Sequence, residues 1–210
     1  MKNTLIVLGI TVVVLGILGF GIYEVMQNQP GQKTVSQPVD ASDHVLGNPA
    51  TAKITLVEYG DYQCPACGYF HPIVKKLMTE YQDRVLLAFR NFPLSQHPNA
   101  IPAANAAEAA AKQGKFWEMH DLIYEHQNDW SEQGTAADLF RQYAQQLQLN
   151  MSQYDKDVAS GDVSSRIQHD LQTGRDSSVD STPSFFLNGI YIQPNGYDEF
   201  KQLLDGALSS

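Results

Sequence analysis

Cys64 and Cys67 are the only cysteines among 210 residues, and they stand as Cys64-Pro65-Ala66-Cys67. Two thiols three residues apart at the start of a helix share one face, near the separation a disulfide requires, so they can close on each other. A cysteine at a helix N-cap faces unpaired N–H groups and the positive end of the macrodipole, and both stabilise a thiolate. A stabilised thiolate leaves readily. A Cys64–Cys67 disulfide is therefore easily reduced and can pass oxidising equivalents to other thiols. Two cysteines cannot build a four-cysteine zinc site or a disulfide scaffold. A purely structural bridge fits poorly, because closing so short a loop removes little chain entropy. A soft copper site using Cys67 and His71, four apart on the helix, remains as the metal alternative. His44, His97, His120, His126 and His169 show no ligand spacing, so no metal ligand is assigned.

These thiols need a strand to deliver the chain and a helix to carry it away. Lys53 to Tyr59 is β-branched and mostly apolar, bounded by Asn48-Pro49 and Gly60-Asp61, which predicts a buried strand. Pro65 suits the first helical position, and Phe70, Val74, Leu77 and Tyr81 recur on one face of the helix it opens. Val85 to Phe92 reads as a second buried strand, completing a right-handed βαβ unit. From about residue 99 to 178 the pattern is helical, opening with the alanine-dense AIPAANAAEAAAK. Phe116, His120 and Ile123 share one face of this block, Phe140, Tyr143, Ala144 and Leu147 another, and Val163, Ile167 and Leu171 a third. Breaks are expected at Gly134, Asn150-Met151-Ser152 and Gly161. Asn150-Met151-Ser152 also satisfies the glycosylation pattern, although Ser152 serves equally as a helix cap. Asn188-Gly189 between Ser184–Leu187 and Ile190–Ile192 is a strong two-residue hairpin signal. A last helix carries Tyr197, Phe200, Leu203, Leu204 and Leu208 in one stripe. Together these elements predict an α/β domain with a mixed central sheet, flanking helices and an inserted helical subdomain.

Ahead of the domain, Thr4 to Tyr23 carries no charge and, as a helix, reaches roughly 30 Å, the thickness of a bilayer core. Bulky and charged residues follow it where a signal peptidase wants small ones, so residues 1–25 read as an uncleaved signal anchor. Lys2 before and Glu24 after place the rest of the chain outside the cytoplasm. Residues 26–43 are rich in Gln, Pro, Ser and Asp without apolar period and read as a flexible linker, leaving 44–210 as the domain. Hydrophobic residues at 43% and charged residues at 18% exclude a wholly disordered chain and a multi-span membrane protein. A net charge of −9 argues against nucleic acid as a partner.

Glu58-Tyr59-Gly60-Asp61-Tyr62-Gln63-Cys64-Pro65-Ala66-Cys67, Thr182-Pro183-Ser184-Phe185 and the segment from His97 to Tyr124 together resemble the DsbA-like thiol:disulfide oxidoreductases over roughly Val45 to Leu208. That resemblance implies a thioredoxin-like fold whose two halves are separated by the helical insertion, and it implies no cofactor. It makes Cys64 the exposed nucleophile and Cys67 the buried resolving thiol. It makes Pro183 a cis proline beside the disulfide and Thr182 a presenter of backbone groups to substrate, with Pro65 and Ala66 beside the same surface. Glu58 is placed near the second cysteine, where a buried carboxyl could exchange a proton with Cys67; the plainer alternative is a solvated glutamate at a strand end. Asp61 reads as a turn residue. The archetypal member of the family has Pro-His between its cysteines, and Pro-Ala here implies a less oxidising couple. The implied activity is extracytoplasmic oxidation of dithiols in exported proteins. The implied recycling partner is a membrane quinone-linked thiol oxidase, and the membrane is reached through the N-terminal anchor. A reductase or isomerase of the same fold, or a copper carrier, are the alternatives.

Overall fold

In Ile54–Gly60 every residue but Thr55 is buried, as suits the middle of a sheet covered on both faces. The computed structural model describes residues 32–134 and 136–209. The anchor expected over residues 1–25, and residues 26–31 of the linker, lie outside the described residues; among the described residues no helix is long and apolar enough to cross a membrane. Strand β1 (His44–Leu46) leads to β2 (Ile54–Gly60), helix α1 (Pro65–Tyr81) and β3 (Val85–Asn91). Then come α2 (Ala100–Ala111), α3 (Phe116–Glu125), α4 (Gln127–Trp130), α5 (Ala137–Gln146), α6 (Met151–Val158) and α7 (Gly161–Asp176). The chain closes with the hairpin β4 (Ser184–Leu187) and β5 (Ile190–Ile192) and helix α8 (Tyr197–Ser209).

The five strands lie in the order β1-β3-β2-β4-β5. β2 runs parallel to β3, as a helical crossover demands, and antiparallel to β4. This is the mixed sheet with flanking helices and inserted helices that the sequence predicts. The hairpin turns at Asn188 and Gly189 with φ of 49° and 84°, the left-handed pair a tight turn requires. β1 escapes a reading by periodicity because three residues, paired antiparallel to β3, are too few to show an alternation.

Successive strand residues face opposite ways. Ile54 and Leu56 join Val74, Leu77, Phe200 and Leu204 under α1 and α8, while Val57 and Tyr59 pack on the other face with Ala88, Phe92 and Phe186. The third cluster, around Trp130, Phe140, Met119 and the alanines of α2, fills the helical insertion and reaches Tyr62, Cys64 and Cys67. The alanine run thus serves close helix packing, with residues 103, 104, 106, 107, 109 and 110 all buried. The break expected at Gly161 falls between α6 and α7, with Gly161 the first residue of α7 and Ser160 capping Val163 N–H. At the glycosylation-like triplet the cap is Asn150, whose side chain accepts from Gln153 N–H, and not Ser152.

The linker reading needs correction. Lys33–Asp43 lies on the domain: Thr34 bridges Ile190, Ser36 bonds Ser177 and Thr173, and the Arg90 guanidinium takes the carbonyls of Gln37 and Pro38 and the carboxylate of Asp43. Composition hid this because the partners are backbone carbonyls and one buried charge, which leave no apolar period.

Candidate active site

Asp61 starts the arrangement, because its carboxylate accepts from Gln63 N–H at 2.7 Å and turns the chain after β2. The other Asp61 oxygen is buried against Leu94 N–H at 2.8 Å and His97 Nδ1 at 2.7 Å. Gln63 then ties the turn to the insertion, donating to Ser131 O and accepting from Asn99 N–H. Cys64 follows in extended geometry at the N-cap of α1, with Pro65 at the first helical position.

Both cysteines are free thiols. Cys64 is 8% exposed and Cys67 fully buried. Cys64 is held at about 5, chiefly because the Cys67 S–H donates to its sulfur; lost hydration opposes this, and the Thr182 hydroxyl and the backbone N–H groups of Cys67 and Ala66 add to it. The helix end invoked from sequence therefore acts, but the neighbouring thiol acts more. Cys67 is pushed well above the usual thiol range, by burial first and then by the negative charge of Cys64 and Glu58. Its sulfur accepts only the weak N–H contact from Asp61 at 3.5 Å. Two identical side chains are thus split into an anion and a protonated reserve.

The Thr182-Pro183 peptide is cis. Cys64 Sγ lies 3.3 Å from the Thr182 carbonyl oxygen, to which its thiol form donates. Ala66, Thr182 and Pro183 line a groove of about 330 Å³ with Phe70, Phe185 and Tyr191. Pro65 stands at the head of α1 and is not among the residues lining it.

Glu58 is buried, 4% exposed, and loss of hydration raises its carboxyl to about 8. The cause is its register: β-sheet pairing sets it between Phe89 of β3 and Phe185 of β4. The solvated strand-end alternative is therefore excluded. Glu58 opens into a cavity of about 370 Å³ between α1 and α3, lined also by His71, Trp117, His120 and Tyr124. His71 is buried and bonds Asp121 Oδ1 at 3.0 Å, and the three-residue cluster of ligand atoms that includes it contains no cysteine.

One residue that sequence reasoning missed is Gln127, whose amide donates to the carbonyls of Tyr62 at 2.7 Å and Cys64 at 2.9 Å. It clamps the cysteine loop from the insertion. No local pattern could reveal it, because its partners lie over 60 residues away.

A thioredoxin family model matches residues 40–206. Among solved structures, oxidised BdbD from Bacillus subtilis superposes with a TM-score of 0.74 at 24% identity, covering 86% of this chain and all of that one. A thioredoxin-like oxidoreductase from Silicibacter pomeroyi gives 0.67 at 25% identity over 81% of this chain and 95% of its own. The alpha-DsbA1 protein of Wolbachia pipientis gives 0.70 at 21% over 83% and 94%. Among curated proteins, the Na(+)/H(+) antiporter NhaA 3 of Salinispora tropica is 45% identical over 154 residues, which are 72% of this chain but only 22% of that protein. The chain spans about a fifth to a quarter of the length of such relatives, such as the NhaA 1 antiporter of Mycobacterium sp. strain KMS at 40% identity and 26% of its length. The greater part of the shared stretch falls within the residues matched by the thioredoxin model.

Proposed function

The chain belongs to the thioredoxin family as an oxidoreductase of DsbA-like fold, and on that premise we propose that it catalyses thiol:disulfide exchange as a dithiol oxidase acting on exported proteins. The observation that carries the reading is the split between the two sulfurs, with Cys64 an anion at neutral pH and Cys67 protonated. A substrate thiolate attacks Cys64 Sγ of the Cys64–Cys67 disulfide; the S–S bond breaks and Cys67 leaves with the electron pair. Glu58, protonated below about 8, supplies the proton that Cys67 needs as a buried thiol. A second substrate thiolate attacks the substrate sulfur of the mixed disulfide, and Cys64 leaves as the thiolate its surroundings favour. The substrate dithiol is oxidised to a disulfide and the protein is reduced to its dithiol. The groove beside Thr182 and Pro183 suits an extended peptide, because a proline can cover the sulfurs without donating a hydrogen bond.

Reoxidation is assigned to a membrane quinone-linked thiol oxidase, which a domain anchored through residues 1–25 would meet in two dimensions. Two measurements test the reading. Cys67→Ala is expected to accumulate reducible adducts at Cys64 in cells, and an absence of adducts refutes the exchange reaction. Titration against glutathione is expected to give a potential well above that of thioredoxin, about −270 mV; a value near that figure reverses the direction to reduction.

A further inference from the structure

Behind the cysteines, α1 and α3 bring together two imidazoles and a carboxylate that the exchange chemistry leaves unused. His71 comes from α1 and His120 and Asp121 from α3, and one ligand atom from each lies within 4.8 Å of the others. All three line the 370 Å³ cavity. We propose that His71, His120 and Asp121 form a binding site for a divalent transition-metal ion of the zinc class.

The donor chemistry points to that class. Two imidazole nitrogens and one carboxylate oxygen are a borderline set suited to zinc and its first-row neighbours, and poor for calcium or magnesium, which want oxygen. Ligands held at about 2.1 Å on a tetrahedral ion stand about 3.4 Å apart. His71 Nε2 and Asp121 Oδ1 are 3.0 Å apart, sharing a proton that an ion would replace. His120, whose ligand atom lies within 4.8 Å of the other two, has to close by at most about 1.4 Å, within the reach of a side-chain rotation. Its Nδ1 lies 3.1 Å from the Tyr62 hydroxyl, and its Nε2 has no hydrogen-bond partner among the described residues. A ring nitrogen held by a hydrogen-bonding neighbour, with the other left for the metal, is the usual arrangement of a ligating histidine. Stacking on Tyr124, at 5.0 Å and 25°, fixes the His71 ring.

Charge permits occupancy as well. Lys75 Nζ binds Asp121 Oδ2 at 2.6 Å, but it also binds Glu125 at 2.7 Å and so keeps a partner when Asp121 turns to an ion. The fourth position falls to water or to Glu58, which faces the same cavity. With Glu58 ionised, the ion and Lys75 meet three carboxylates, a balanced set. Occupancy would hold Glu58 as a carboxylate and withdraw the proton it offers Cys67; that consequence, unlike the site, rests on the role proposed for Glu58 above.

The test uses full-length oxidised protein, whose sulfurs are tied in the disulfide and cannot ligate. Titration with Co²⁺ is expected to give one ion per chain with tetrahedral d–d absorption, displaced by one equivalent of Zn²⁺. His71→Ala and Asp121→Asn should each weaken binding at least about tenfold. His126→Ala, an exposed histidine paired with Asp129 outside the cluster, should leave it unchanged. Unfolding midpoints check that each variant folds, and if His71→Ala does not, half-buried Asp121→Asn decides alone. No saturable Co²⁺ signal, or one indifferent to Asp121→Asn, overturns the site.

Discussion

At neutral pH the two sulfurs differ in charge because their surroundings differ in donors. Cys64, held at about 5 by the Cys67 thiol, the Thr182 hydroxyl and two backbone N–H groups, is expected to show thiolate absorbance with a midpoint near pH 5 and rapid alkylation above it. A midpoint near the ordinary 9 would mean that those donors do not act together. The lowered value also fixes the sign of a stability effect. Reduced protein binds fewer protons folded than unfolded between about pH 5 and 9, so its stability relative to the oxidised form rises across that window and is lost as the pH falls to 5. Glu58 has the opposite sign. Raised from 4.5 to about 8 by burial, it is bound to its proton in the folded state where the unfolded chain has lost it. Its burial therefore costs nothing below pH 4.5 and costs progressively more up to pH 8. Glu58→Gln is expected to stabilise the protein by roughly 3 kcal/mol at pH 7 and hardly at all at pH 4, read by urea unfolding at the two values. If Glu58 is the proton donor to Cys67, the same variant loses the fall in exchange rate as the pH is raised past 8.

At the scale of elements, the site depends on how closely α1 meets the insertion. Gly68, one turn into α1, has the Gln127 amide against the place where a Cβ would stand. That amide is held by two carbonyls of the cysteine loop and cannot swing away freely. Gly68→Ala is therefore expected to cost about 1–3 kcal/mol in chemical unfolding, and to shift the Cys64 midpoint by loosening the loop. Gln127→Ala should loosen the loop in the same way without adding bulk, so agreement between the two variants identifies the clamp as the cause. The sequence foretold α1, β2 and β3 through apolar period and Pro65, and the β4–β5 hairpin through Asn188-Gly189. It could not foretell the clamp, since nothing near Gln127 marks it as a loop partner.

Over the whole molecule, the segment before β1 is a structural strap. Arg90 and Asp43 are each 2% exposed at the side chain and bond at 2.8 Å and 2.9 Å. Arg90 also holds the Tyr59 hydroxyl at 2.9 Å, so the strap is joined to the C-terminal end of β2. Asp43→Ala leaves a buried guanidinium without its anion and is expected to cost about 3–5 kcal/mol in urea unfolding. A domain begun at residue 44 should be destabilised to the same degree, whereas one begun at Lys33 should not.

The sequence by itself determined the run from β2 through α1 to β3, the helical insertion, the paired thiols at the head of a helix and the hairpin, because each is written in neighbouring residues through period, turn chemistry or spacing. Tertiary structure decided what those residues are worth. Burial of Glu58 between Phe89 and Phe185, the sharing of protons between Cys64 and Cys67 beside Thr182, the Gln127 clamp, the Arg90–Asp43 strap and the gathering of His71, His120 and Asp121 all depend on groups brought together from distant parts of the chain. Solvation and electrostatic effects act through space and not along sequence, so only the folded packing sets them.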